Sequence, residues 1–389
     1  RSEQRRRSWH RTGAAVRDSF DLAWQYLRHH RLTTVVLVTS ITLILYLPAT
    51  LQVIVINADR HFRSRAESTP LIVGPKGSPL ELVLGSVYFD KPAANVMRYD
   101  ETERIDELGV AIPLNTRFIA RDCQVVGTTR AYLRARNLRT TSGSTWDMLG
   151  ECVVGTRVAE RLDVRVGDKI PVASSTAFIL DNPPLRLRVA GVLAANETPD
   201  DEAIFVSLAT TWIIEGLGHG HAPSAEHGSP EAKLYTDITE DNVESFHFHG
   251  SQGEFPITAI FVKPSSEKAE TILFGKYFSA DETVQIVRPH EVMNGLLERV
   301  IMIRSYMIAI IAVVSLATLL LMALVIVLSI RLRRAEIVTM TKMGCSRFAI
   351  ASILGSQVAI ILAASVTVAA LLTLATNAFG PELVRYFIF

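Results

Sequence analysis

Residues 331–347 read RLRRAEIVTMTKMGCSR. Five basic residues, Arg331, Arg333, Arg334, Lys342 and Arg347, share this stretch with one acid, Glu336. The run 305–330 before it carries no charge, and neither does the run 348–381 after it. Each run exceeds the roughly 20 apolar residues that a helix needs to cross about 30 Å of hydrocarbon. A short charged loop between two such runs predicts a membrane protein. It also predicts a loop that a partner on the same side of the membrane can grip.

Working outward, a third apolar run covers 32–58. It reads as a span rather than a cleaved signal peptide. Its uncharged core is too long, and no small-residue cleavage pattern precedes Asp59 and Arg60. These runs explain why 49% of the 389 residues are hydrophobic and why the mean hydropathy is +0.25. Charge sets the expected orientation. Residues 1–31 hold eight Arg against three acids, and the loop holds five basic residues against one. By the positive-inside rule both are cytoplasmic. The segment 59–304 holds 26 basic and 34 acidic residues, about −8, and falls outside. Basic residues placed beside a membrane have anionic lipid as their nearer partner, so no nucleic-acid binding is expected.

The expected order is a basic cytoplasmic segment 1–31, span 32–58, external domain 59–304, span 305–330, loop 331–347, span 348–379 and an external tail 380–389. Within 1–31, Val16, Phe20, Ala23 and Leu27 form an apolar stripe at helical spacing. It reads either as an amphipathic helix on the inner membrane face or as an extension of the first span. Pro48 sits mid-span and should kink that helix. Helix 3 should stop at Phe379-Gly380-Pro381.

The external segment reads as mixed α and β. Strands are expected at 71–73, 117–126, 185–193, 203–206 and 258–262. Ser78 caps a helix opened by Pro79 and running through Tyr88. Short helices are expected at 100–108 and 155–162, a turn at Val166-Gly167-Asp168-Lys169, and a helix from 292 into the second span. Residues 218–253 are rich in Gly, His, Ser, Glu and Asp and read as a long mobile loop. Cys123 and Cys152 lie outside, where oxidation is possible, but nothing in the sequence brings them close. Cys345 lies in the cytoplasmic loop.

Three further stretches support a resemblance. The loop and its exit, RLRRAEIVTMTKMGCSRFAI (331–350), has an Arg-rich start, a Glu and a Lys-x-Gly-x-Ser-Arg end. GECVVGTRVAERLDVRVGDKI (150–170) places a small helix before a Gly-Asp turn, and LRLRVAGVLAANETPDDEAIFVSLATTW (185–212) sets an aspartate before an apolar strand. With the topology, these resemble the MacB/FtsX-like ABC transporter permeases. The resemblance implies an α+β membrane protein of the bacterial inner membrane, with the α/β domain in the periplasm between the first and second spans. It implies a permease that works as a dimer and is driven by two cytoplasmic ATPase subunits. It also assigns ATPase coupling to the loop, on Arg333, Arg334, Glu336, Lys342, Gly344 and Arg347. Family members usually have a fourth span. The clean stop at Pro381 favours a three-span subgroup over a truncated chain.

The rest of the chemistry is sparse. No GxxxxGK[ST] motif occurs, so the chain lacks a phosphate cradle and ATP is expected in a partner subunit, with no cofactor in this chain. HExxH and GxSxG are also absent, and His61 and His290 stand alone. The spans contain Ser and Thr but no charge, which favours transmission of force over a polar pore. Gly355 and Ala363-Ala364 suit close helix packing, including across a dimer. One constellation remains: His219, His221, His227, His247 and His249, five imidazoles within about 30 positions. Imidazole binds Zn2+ well, and an HxH pair on extended backbone points both rings the same way. The alternatives are a polar loop with incidental His and a weak Zn2+ site facing the periplasm. Functionally, the expectation is a permease that passes ATP hydrolysis to a domain acting on a lipoprotein, a peptide, an amphiphile or a periplasmic partner protein. The alternative is a membrane-anchored metal- or partner-binding receptor without transport.

Overall fold

The computed structural model describes residues 20–172, 184–220, 236–279, 283–332, 338–339, 342 and 347–388. The chain forms two compact units, residues 1–60 with 298–389, and residues 61–297. Helix α1 covers 20–29 and ends in a turn at His30. On it Ala23 and Leu27 of the expected stripe are buried, whereas Phe20 is exposed. Helix α2 (Arg31–Glu67) follows and passes through Pro48 without a break. Its 37 residues span about 55 Å at 1.5 Å per residue, well beyond a hydrocarbon core of about 30 Å. The helix therefore does not stop near Ala58, and its last turns belong to the second unit.

The second unit is built on an eleven-stranded sheet. In chain order its first elements are strand β1 (Leu71–Pro75), helix α3 (Pro79–Val87), β2 (Met97–Arg98), the short helix α4 (Glu103–Asp106), β3 (Gly109–Ala120), β4 (Cys123–Thr128) and α5 (Arg130–Ala135). Next come β5 (Thr140–Gly143), β6 (Glu151–Val154), α6 (Thr156–Leu162), β7 (Lys169–Val172), β8 (Leu185–Leu193), β9 (Ala203–Ser207) and α7 (Leu208–Glu215). The remainder is β10 (Gly218–Gly220), β11 (Thr236–Asp237), β12 (Phe246–Phe248), β13 (Pro256–Ile257), β14 (Ala259–Pro264), α8 (Glu267–Lys276) and β15 (Val284–Val287). The main sheet runs β11-β8-β6-β9-β4-β3-β14-β1-β15, with β5 and β7 also paired to β8.

Local sequence accounts for many of these elements. Ser78 accepts a hydrogen bond from the Glu81 amide and Pro79 opens α3, the pairing of cap and N1 proline that the sequence predicts. Strand β8 alternates buried and half-buried positions along its whole length, as a strand with one face on the core must. The expected strand 117–126 is instead a hairpin. Arg121 and Asp122 both take positive φ, 48° and 62°, and turn β3 back into β4. Two consecutive left-handed residues match the strand twist, and Asp tolerates that region despite the absence of Gly. The expected loop 218–253 is corrected where it is described: β10 pairs β12, β11 pairs β8, and short helical turns fill 243–245 and 252–254. Cys123 and Cys152 are buried free thiols on β4 and β6, separated in the sheet by β9.

Helix α9 (Pro289–Leu332) and helix α10 (Arg347–Ile388) complete the chain. Helix α10 does not end at Phe379-Gly380-Pro381 but continues to Ile388. Proline removes one backbone donor, a loss that a long apolar helix tolerates. Among the described residues, Arg31–Ile54 and Ala351–Ala378 are long and apolar enough to cross a membrane, and Ile308–Ala317 is a shorter apolar stretch. Within the first unit, Leu27 and Ile41 pack on Ile361. Thr42 Oγ1 donates to the Ser365 carbonyl over 3.4 Å, and Ser365 Oγ donates to the Val38 carbonyl over 3.3 Å. Small hydroxylated residues let the two backbones approach, as in membrane helix pairs.

Candidate functional site

Two constellations in the second unit could carry function. The first lies at the end of α2. Arg65 is 5% exposed and Asp200 1% exposed. The guanidinium of Arg65 grips both carboxylate oxygens of Asp200, Nη1 to Oδ2 at 2.7 Å and Nη2 to Oδ1 at 2.7 Å. Its Nη2 also donates to Tyr132 Oη at 2.9 Å and its Nε to the Val87 carbonyl at 3.2 Å. Tyr132 Oη donates to Asp200 Oδ1 at 2.8 Å, and Thr198 Oγ1 to Asp200 Oδ2 at 3.0 Å. The site thus joins α2, α3, α5 and the turn before β9. Arg136 adds a second tie. It donates to the Ser68 carbonyl and Oγ just past α2, and lies over the Phe261 ring of β14, 4.8 Å from its centroid.

Buried ions in such a site must compensate one another. Burial alone disfavours the Asp200 carboxylate. The Arg65 charge and its two hydrogen bonds outweigh that, and hold the carboxyl below the usual carboxylate range. Burial likewise opposes the Arg65 charge, and Tyr132 with Asp200 outweighs it. The Tyr132 hydroxyl is pushed up to about 12, chiefly by burial. The same core receives both long helices. Phe62 and Ala66 of α2 pack in one cluster with Val292, Met293 and Leu296 of α9, along with Tyr88, Tyr132 and Phe205. Sequence reading missed the Arg65–Asp200 pair. Its sequence signal, an acidic turn Pro199-Asp200-Asp201 before an apolar strand, says nothing about a partner 135 positions away.

The second constellation is a set of three imidazoles. Gly216, at φ 89°, closes α7 in the left-handed region and turns the chain into β10. Strands β10 and β12 run antiparallel with His219 opposite His247. The next pairing is a hydrogen bond from the His249 amide to the Leu217 carbonyl at 3.1 Å. Strand alternation puts His247 and His249 on one face and Phe246 and Phe248 on the other. The phenylalanines pack inward, Phe248 edge-on to Trp212 with ring centroids 6.2 Å apart. Gly218 and Gly220 make room for those rings. A Cβ on either would sit 2.7 Å from Phe248 Cδ1 or 2.6 Å from the Phe246 ring.

The ligand atoms of His219, His247 and His249 lie within 4.8 Å of one another. Ring centroids are 4.9, 4.9 and 4.7 Å apart. Of the five predicted imidazoles the structure brings these three together, and His221 and His227 fall outside the described residues. Asp237, held below its usual range first by its hydrogen bond from Arg186 and also by Lys169, fixes β11 against β8 upstream of β12.

The predicted coupling residues are only partly described. Lys342 is exposed in a helical position, and Arg347 opens α10. Arg333, Arg334, Glu336 and Gly344 lie outside the described residues.

Comparison with known proteins adds the following. The sequence profile of the MacB-like periplasmic core domain matches residues 49–244. Similar solved structures include the periplasmic region of MacB from Actinobacillus actinomycetemcomitans. It has 10% identity and TM-score 0.35, and the match covers 60% of this chain and 97% of that one. The extracellular domain of the noncanonic ABC-type transporter YknZ from Gram-positive bacteria matches at 12% identity and TM-score 0.32, covering 56% and 98%. A domain of a putative permease from Porphyromonas gingivalis matches at 12% identity and TM-score 0.26, covering 57% and 89%. No curated protein sequence matches.

Proposed function

This chain belongs to the MacB/FtsX-like ABC transporter permeases, the family of the MacB-like periplasmic core domain, and from that premise we propose that it passes cytoplasmic ATP hydrolysis to its periplasmic domain as movement. Proteins of this family work with a cytoplasmic ABC ATPase, and this chain is membrane-bound with its α/β domain outside the cytoplasm. In this reading the chain crosses the inner membrane three times, at 32–58, 305–330 and 348–379, forms a dimer, and acts on an extracytoplasmic substrate such as a lipoprotein, a peptide, an amphiphile or a partner protein. The ATPase docks on the loop 331–347, through Arg333, Arg334, Glu336, Lys342, Gly344 and Arg347. The phosphate cradle belongs to that ATPase.

One observation carries the reading. Helix α2 ends in a buried two-pronged ion pair, Arg65 to Asp200, and the start of α9 packs in the same core cluster. A long helix fixed at its end by a bidentate pair resists pivoting, because the planar guanidinium matches the carboxylate in one orientation. Displacement of α2 at Arg65, or of the start of α9, is then passed to the sheet through this core. The uncharged spans support the same reading, since an ion pathway needs charged groups at membrane depth.

A second reading, a membrane-anchored receptor without transport, draws its support from the three-imidazole face. The two part at the loop. Purification of the tagged chain from its native membranes tests this. The first reading expects an ABC ATPase in the complex and its loss in Glu336→Lys. A chain that purifies without an ATPase, in wild type and variant alike, overturns it.

A further inference from the structure

We infer that His219, His247 and His249 form a binding site for one divalent transition-metal ion of the zinc class. The inference stands whichever functional reading holds, because it concerns the outer domain alone.

Three independent features carry it. The first is donor chemistry. Three imidazoles and no carboxylate make a borderline-soft nitrogen set, which suits Zn2+, Cu2+ or Ni2+ and not Ca2+ or Mg2+. The second is geometry. Zinc–nitrogen bonds of about 2.0–2.1 Å put tetrahedral ligand atoms roughly 3.3 Å apart. The donor atoms here already lie within 4.8 Å of one another. Strand pairing holds the backbones that carry these rings in register: His219 sits opposite His247, and the His249 amide donates to the Leu217 carbonyl.

The third feature is orientation of a ligand from behind. His247 Nδ1 lies 3.2 Å from the Ser245 carbonyl oxygen. A carbonyl can only accept, so that bond places the proton on Nδ1 and makes Nε2 the ring nitrogen that carries the lone pair. Metal-ligating histidines carry this kind of support from a backbone carbonyl or carboxylate. Ser245 is itself held, its Oγ donating to the Asn242 carbonyl at 2.7 Å.

His219 and His249 are exposed and His247 is half-buried, so an ion reaches the face from solvent. Among the described residues these three imidazoles are the donors, and three protein ligands are the set of an exchangeable or reactive zinc site rather than a closed structural one. The fourth ligand is water or a donor group offered by an arriving molecule. The opposite face of the same hairpin keeps the site in place. Phe246 and Phe248 pack inward over Gly220 and Gly218, so the strand cannot slip by one residue without exposing both rings.

The test uses the full-length chain in detergent, freed of metal by a chelator. Zn2+ is titrated calorimetrically and against a chromophoric chelator, and Co2+ is added as a spectroscopic probe. The expected result is one Zn2+ per chain, with affinity reduced at least tenfold in each of His219→Ala, His247→Ala and His249→Ala, and the visible absorption of four-coordinate Co2+. The paired variant His221→Ala/His227→Ala should retain the site. Thermal unfolding of the metal-free variants should match wild type, so a lost site is not a lost fold. Absence of Zn2+ binding, or binding that survives substitution of all three residues, overturns the inference. Loss in the His221/His227 variant with retention in the other three also overturns it.

Discussion

Asp200→Ala removes the carboxylate that faces Arg65 and leaves the guanidinium buried. Arg65 is 5% exposed and Asp200 1% exposed, so the guanidinium is left out of reach of bulk water. The arginine would keep only the Tyr132 hydroxyl and the Val87 carbonyl, and its two shortest bonds, both 2.7 Å, would be gone. Removing one member of a buried ion pair costs about 3–5 kcal/mol. For a domain of this size each kcal/mol lowers Tm by roughly 2–4 °C, so the expected fall is about 6–20 °C. Fluorescence of the buried Trp146 and Trp212, in a chain with Trp9 and Trp24 changed to Phe, reports it. The double variant Arg65→Met/Asp200→Leu should regain most of the loss, because it removes both charges together. A fall worth less than about 1 kcal/mol in Asp200→Ala would refute the reasoning. So would a double variant as unstable as the two single changes combined.

Acid should act on the same pair. The folded pKa of Asp200 is depressed, so its contribution is complete above the unfolded value, about 3.9. It is lost as pH falls from there through the lower folded value. Wild type should therefore lose stability more steeply than Arg65→Met/Asp200→Leu as pH falls below about 4, as read by denaturant melts over that range. Glu336→Lys and Gly344→Leu should abolish ATPase docking or its activity while leaving membrane insertion intact; co-purification and ATP turnover in vesicles check both. Burial raises the pKa of both Cys123 and Cys152. In a Cys345→Ser chain, a thiol reagent should react with neither until the protein is unfolded, and then with two thiols. Reductant should leave its electrophoretic mobility unchanged.

The parts of the fold that were legible are those set by local periodicity and local caps. Strand β8 announces itself by alternation, α3 by Ser78-Pro79, and the apolar helices by length. The hairpin at Arg121-Asp122 was not legible, because its left-handed turn uses neither Gly nor Asn. The stretch 218–253 was misread for a related reason. Its polar composition hides two inward phenylalanines, and Phe248 becomes visible as an anchor only once Trp212 and Phe255 are placed beside it. The HxH spacing did point to shared orientation of His247 and His249. His219 stands in the same candidate set of five, and strand pairing across 28 positions is what brings it to the other two. Arg65 and Asp200 were invisible for the same physical reason: a tertiary ion pair has no local pattern.

In the proposed function, ATP turnover moves the outer domain as a body. A spin label at Val166, which is 46% exposed, tests it most directly. The Val166→Cys chain, in a Cys345→Ser background and in complex with its ATPase, is examined in lipid nanodiscs by pulsed electron paramagnetic resonance. Distances between the labels of the two protomers are compared without nucleotide and with a non-hydrolysable ATP analogue. The expected result is a measurable inter-protomer distance that shifts by several ångström on nucleotide binding, with the shift lost in Asp200→Ala. An unchanged distance while the ATPase turns over, or no distance at all in an active complex, would contradict it.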